Sequence, residues 1–342
     1  MTSSAAPTVL EGTRIWRADW SVDLQATLGS LRRGAGDLTT MLPGAGQFVL
    51  AANTPAGPGT LHLGTSPSAP REVHARAWGS AGAVEWLLDG VPELLGARDR
   101  PQDFRPVHVP LVRAHAHWSP RVRVMRSRRV WDALLPAVIE QKVTGQEAFA
   151  GYRSLVAAAG QPAPGPAGDR GLRVPPDPTA VLRVPSWVWI TAGIDAARSG
   201  AVLHAARSAT ALERLAELTA SMDTVCLERA HRMVRTVPGL GVWTAAEVAQ
   251  RALGDADAVS WRDYHVAGRI TRALTGVAGD DRDLARALAP YAGHRYRVQL
   301  LLSRGGTGAG SGAERRGPRM APRTHLPVAR GRHTPSEREG RA

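Results

Sequence analysis

The stretch Val237-Pro238-Gly239-Leu240-Gly241-Val242-Trp243-Thr244-Ala245 joins two segments of helical periodicity, and its residue types suit phosphate binding. Proline ends the first helix, and the glycines allow the positive φ and close backbone approach of a tight turn. The second helix starts at once, so its free N–H groups face the turn, where they attract anionic oxygens. A second segment, Val259-Ser260-Trp261-Arg262-Asp263-Tyr264-His265-Val266, places a carboxylate 22 residues after Gly241. An Asp at the head of a helix is a favoured N-cap. The same fixed negative charge can also stabilise a cation that develops beside it. A third segment, Val138-Ile139-Glu140-Gln141-Lys142-Val143-Thr144, closes one apolar helix and opens the next, and Lys142 is the only lysine in the chain.

Positioning these groups requires a helical framework. Apolar periodicity predicts helices over 130–141, 146–159, 178–183, 185–192, 196–206, 210–220, 224–235, 243–253, 264–274, 281–289 and 295–302. The Pro- and Gly-rich residues 160–178 between them read as a loop. Trp187 and Trp189 read as core residues. Upstream, residues 14–20, 47–52, 60–64 and 72–78 alternate as short strands, separated by Gly and Pro clusters at 42–46, 54–59 and 65–70. Two helices, 22–33 and 82–95, accompany them.

At about 150 residues per domain, the 342 residues suggest two domains and an appendage. The expected architecture is mainly α. An N-terminal mixed α/β, β-rich domain (1–112) precedes an all-α domain (113–303) and a disordered Arg-rich tail (304–342). Forty-three basic against 30 acidic residues give +13, of which the tail carries +6, so polyanions are natural partners. No apolar run is long enough to span a bilayer, and the start of the chain lacks a signal-peptide pattern. The expected setting is cytoplasmic, bacterial and nucleoid-associated, with no membrane partner. The one cysteine, Cys226, excludes internal disulfides, Cys-ligated iron–sulfur clusters and four-Cys zinc sites. His108, His115 and His117 lack cysteine partners and read as surface or packing residues, so no metal is expected.

The Pro-Gly-Leu-Gly turn between helices resembles a helix-hairpin-helix, a sequence-independent binder of the DNA backbone. With Asp263 at its spacing, the chain resembles the helix-hairpin-helix DNA glycosylase superfamily, specifically its AlkA-type branch, the 3-methyladenine DNA glycosylases II. The resemblance covers about residues 113–303 and extends more weakly to the N-terminal part. It implies that Asp263 is the catalytic carboxylate, with Pro238, Gly239, Leu240 and Gly241 on DNA. Gln141, Lys142 and Thr144 match the family's apolar-x-Gln-x-Val-Ser/Thr segment, in which Gln helps position the site and the next residue plugs the gap left by the flipped nucleotide. That plug is usually apolar or Gln; here it is Lys142, which can reach phosphates or a base edge.

Trp243, Tyr264 and Tyr291 fall at aromatic positions of the family's base pocket, where electron-rich rings attract a cationic alkylated base. Glu247, one turn after Trp243, either reads a base amino group or is solvated. In bifunctional relatives such as endonuclease III, the position of Trp243 carries a Schiff-base lysine. The resemblance therefore implies a monofunctional hydrolase that excises alkylated purines from double-stranded DNA in base excision repair. It would act as a monomer without a cofactor, although hairpin carbonyls in the family can hold a monovalent cation. The alternative is a non-catalytic helix-hairpin-helix protein that recognises damaged DNA. The basic tail is expected to tune non-specific affinity alone.

Overall fold

The structure is a computed structural model that describes residues 9–304; the expected tail beyond Arg304 lies outside them. Five antiparallel strands, β1 (Leu10–Arg17), β2 (Thr40–Met41), β3 (Gln47–Thr54), β4 (Gly57–Ser66) and β5 (Ala69–Gly79), form a sheet of order β1-β5-β4-β3-β2. One face carries Phe48, Leu50, Ala52, Leu61, Leu63, Val73, Ala75 and Ala77, packed against Leu24, Leu28, Val84 and Leu87 of the two accompanying helices. On β3 the opposite face is buried too, because Val49 and Ala51 meet Ala163, Leu172 and Val174.

Two expected loops are instead strand. The Gly and Pro clusters at 54–59 and 65–70 shrink to two-residue turns, since Thr54 pairs with Gly57 and Ser66 with Ala69. The stretch 160–178, expected as a loop, contains a small sheet of Gln161–Pro162 with Arg173–Val174 and a turn of helix at Pro166–Asp169. The helical part is therefore not purely α. Burial of Val174 and Leu172 against β3 drives this pairing.

The helices sit close to their expected places, with shifts at the ends. Residues 210–220 split into Ala209–Glu213 and Leu215–Leu218, and helix Val242–Val248 continues as π winding through Ala249–Leu253. The helix at the head of the helical part, Val109–Trp118, starts four residues ahead of 113, since Phe104, Leu111 and Ala114 pack with Ile270, Leu288, Val298 and Leu301. Trp189 is core, but Trp187 is 65% exposed: three residues before exposed Ile190, it lies on the outer side of its helix. No helix among the described residues is long and apolar enough to cross a membrane.

Two apolar cores build the helical part, and their division positions the carboxylate segment. Ala258 belongs to the core around helix Val130–Ile139 and the hairpin, whereas Val259 belongs to the core of helices Val109–Trp118, Val266–Thr275 and Arg295–Arg304. Adjacent residues are thus anchored on opposite sides, and burying a Val side chain stabilises by roughly 1.5–3 kcal/mol.

Helix Val130–Ile139 starts at a half-buried acid, Glu213. Glu213 accepts from Val130 N–H at 3.3 Å and Trp131 N–H at 2.6 Å. Burial, against the Trp131 bond and reinforced by the charge of Asp132, pushes its carboxyl up to about 7. The folded state thus holds this proton more tightly than the unfolded state, so the contribution to stability is full below pH ~4.5 and lost as pH rises through about 7. Glu213→Gln keeps an acceptor and removes the titration. In urea melts from pH 5 to 8, the parent should lose on the order of 3 kcal/mol relative to this variant; parallel pH profiles would refute the assignment.

Candidate functional site

The turn after helix Thr224–Arg235 is anchored by two apolar side chains, Val237 and Leu240, which point into the core while Pro238, Gly239 and Gly241 stay exposed. Leu240 N–H donates to Val237 O at 3.1 Å, and Gly239 adopts φ +87. Gly241 then opens helix Val242–Val248 without a side-chain cap. Ala245 N–H returns to Gly241 O, and the N–H groups of Val242 and Trp243 find no acceptor among the described residues. This is a surface turn that offers unpaired N–H donors, the arrangement suited to phosphate oxygens.

The Gln141 segment is tied to that turn. Its amide donates to Gly239 O at 3.0 Å and to Thr244 Oγ1 at 2.9 Å. Gln141 thus acts through the hairpin by holding its shape. Behind it, Glu140 pairs with Arg33 at 2.6 Å, and buried Arg198 donates to Ile139 O at 2.9 Å. Lys142 stands between these anchors, exposed, with φ +54. Thr144, expected on the DNA face, is the N-cap of helix Gly145–Ala159, and its hydroxyl is engaged in a reciprocal capping box with Glu147.

Asp263 is half-buried and fully oriented. Its Oδ1 accepts from His265 N–H at 2.8 Å and Val266 N–H at 3.0 Å, and its Oδ2 accepts from the Trp243 indole N–H at 3.0 Å. These bonds hold Tyr264 and His265 in a turn, so the helix expected from Tyr264 starts at Val266, with His265 as its N-cap. Asp263 thus holds the turn ahead of the helix and presents a carboxylate at once. The indole bond joins it to the first turn of the hairpin's second helix, so hairpin and carboxylate form one unit.

A buried polar cluster supports the carboxylate segment from below. Ser260 Oγ donates to Glu247 Oε1 at 2.7 Å and accepts from Gln250 Nε2 at 2.9 Å and Gln299 Nε2 at 3.0 Å. Gln250 also donates to Ala258 O, and Glu247 pairs with Arg251 at 2.6 Å. Glu247 is 7% exposed, so it is neither solvated nor available to a base: its charge is committed to Arg251 and Ser260. Sequence reading missed Ser260, Gln250 and Gln299. The available signal was polar Gln on otherwise apolar helix faces.

The three expected pocket rings are not brought together. Trp243 lies at Asp263, and Tyr264 is 75% exposed, edge-on to His265. Tyr291 is 2% exposed and belongs to the core beside Phe104. Its hydroxyl meets the His108 ring and accepts from the His108 N–H at 3.2 Å. Tyr291 therefore fastens the chain ahead of helix Val109–Trp118 instead of lining an open pocket. A cavity of about 30 Å3 among Thr39, Asp132 and Tyr152 and a cleft of about 390 Å3 beside Thr271, Asp283 and Arg286 both lie apart from Asp263. No group of three or more His, Cys, Asp or Glu gathers as a metal site among the described residues.

No family model and no curated protein matches the sequence. Solved structures do match the fold. A 3-methyladenine DNA glycosylase from Archaeoglobus fulgidus superposes with a TM-score of 0.64 at 16% identity, over 84% of this chain and 96% of that one. An 8-oxoguanine glycosylase/lyase from Clostridium acetobutylicum, in its apo form, gives 0.61 at 11% identity over 86% and 97%. The same Clostridium enzyme bound to double-stranded DNA with cytosine opposite 8-oxoguanine gives 0.60 at 11% identity over 86% and 96%. The chain has the helix-hairpin-helix DNA glycosylase fold.

Proposed function

We propose that this chain is a monofunctional DNA glycosylase of the AlkA type, which flips an alkylated purine such as 3-methyladenine or 7-methylguanine out of duplex DNA and hydrolyses its N-glycosidic bond. The observation that carries this reading is the Asp263 carboxylate, fixed by two backbone N–H groups and the Trp243 indole beside a hairpin with unpaired N–H donors. A base inside a duplex is out of reach of such a carboxylate, so it must be extruded at a cost of a few kcal/mol. Lys142, exposed on a strained turn that Gln141 ties to the hairpin, stands ready to fill the gap.

As the bond to the base breaks, positive charge builds on the sugar. Asp263 is already oriented, so it stabilises that charge without reorganising. Water adds to the sugar carbon, the base departs with the bonding electron pair, and the water's proton is released. An alkylated purine is already cationic and a good leaving group. Trp243 and exposed Tyr264 can attract it through their ring faces, by about 0.5–2 kcal/mol each. Tyr291 is withdrawn in the core and has no part in this contact. The decisive experiment is incubation with methylated duplex DNA and identification of the released bases. Release of 3-methyladenine or 7-methylguanine supports the reading, and binding without release supports the non-catalytic alternative.

An amine nucleophile is missing where a lyase would carry one, because Trp243 holds that position and Lys142 is the sole lysine. Borohydride should trap no covalent complex, and the abasic product should stay uncut. An adduct lost in Lys142→Ala would put that lysine at the sugar, and one that persists would implicate the N-terminal amine. Either would refute the monofunctional assignment.

A further inference from the structure

Resting on the glycosylase reading above, we propose that Arg262 is a phosphate clamp, whose guanidinium grips the DNA backbone phosphate next to the sugar that Asp263 faces. Residues 260–263 form a turn closed by Asp263 N–H donating to Ser260 O at 3.3 Å. Arg262 occupies its third position with φ +65. Gly or Asn is the unstrained choice there, and a side chain such as Arg carries a penalty. The turn cannot relax easily. Ser260 on one side is locked by four hydrogen bonds to Glu247, Gln250 and Gln299, Asp263 on the other accepts from the His265 and Val266 N–H groups, and the Arg262 N–H donates to Asp281 Oδ2 at 3.0 Å.

The side chain so placed is exposed. Arg129, Arg198, Arg251, Arg295 and Arg297 each pair with a carboxylate. Arg262 forms no ion pair among the described residues; the carboxylate that touches it, Asp281, binds its backbone instead. Strain retained beside a presented carboxylate points to use at that site. Guanidinium offers a planar fork of donors that matches phosphate oxygens. A nucleotide whose sugar faces Asp263 carries a phosphate on either side, so the neighbouring side chain meets phosphate. The cation also offsets repulsion between the Asp263 carboxylate and the approaching backbone.

The test is a salt titration of duplex binding by the full chain, its Arg262→Asn variant and its Arg262→Lys variant, with melting temperatures and single-turnover base release. Loss of one phosphate contact flattens the slope of log K against log salt by about 0.9. Arg262→Asn should show that flattening and a severalfold weaker affinity at low salt, with a melting temperature no lower than the parent's because Asn tolerates the positive φ. Arg262→Lys should restore the slope. In base release, the half-saturating concentration should rise more than the maximal rate falls. An unchanged slope in Arg262→Asn overturns the clamp, and so does a melting temperature lowered by several degrees, which would mark a structural role. A parent that binds DNA with an Arg262-dependent slope but releases no base sinks the catalytic reading and leaves the clamp standing. A parent that does not bind DNA sinks both.

Discussion

Asp263→Asn should abolish base release from methylated duplex DNA while leaving DNA binding largely intact. The amide is nearly isosteric, and its oxygen can still accept from the His265 and Val266 N–H groups, which preserves the helix start. Its NH2 then faces the Trp243 indole N–H, donor against donor, so one bond is lost and the ring is freed. The larger effect is on charge. A neutral group offers far less to a developing sugar cation, and removing one such preorganised group typically costs about 10²–10³ in rate. Single-turnover release at saturating enzyme, read beside affinity for undamaged duplex, measures both parts. Near-parental turnover would reduce Asp263 to a turn-holding residue and favour the non-catalytic reading.

Gly239→Ala should unfasten the hairpin and weaken DNA binding at least tenfold. A β-carbon there would stand 2.5 Å from Ala201 Cβ, and the backbone is held at φ +87. The left-handed conformation alone costs a non-glycine residue roughly 1–2 kcal/mol. Relieving it would move Gly239 O, which accepts from Gln141, and so misplace the N–H groups of Val242 and Trp243. The companion Ala201→Gly removes the overlap but not the φ penalty, so the double variant should recover only part of the melting temperature. Unchanged affinity in Gly239→Ala would mean that the hairpin does not touch DNA.

The sequence by itself determined the parts of this protein that are written locally. Helices follow from apolar spacing within one segment, and the hairpin follows from Pro238, Gly239 and Gly241 within a few residues. Asp263 just ahead of a helix was legible in the same way, because its backbone bonds reach only the next three residues. The turns at 54–59 and 65–70 were legible as turns but not as two-residue ones, since strand length is set by pairing with a neighbour.

Tertiary structure alone decided what each side chain meets. Tyr291 is expected from sequence as a base-pocket ring; packing against Phe104 and the contact with His108, 183 residues away, make it core. Glu247 and Ser260 become partners because helix Val242–Val248 passes beneath the Asp263 segment, and Gln299 joins them from the last helix. The indole bond from Trp243 to Asp263 spans 20 residues and exists because two cores anchor Ala258 and Val259 on opposite sides. Periodicity and turn chemistry are properties of short stretches, whereas the partner of a buried polar group is chosen by whichever element the folded core brings within about 3 Å.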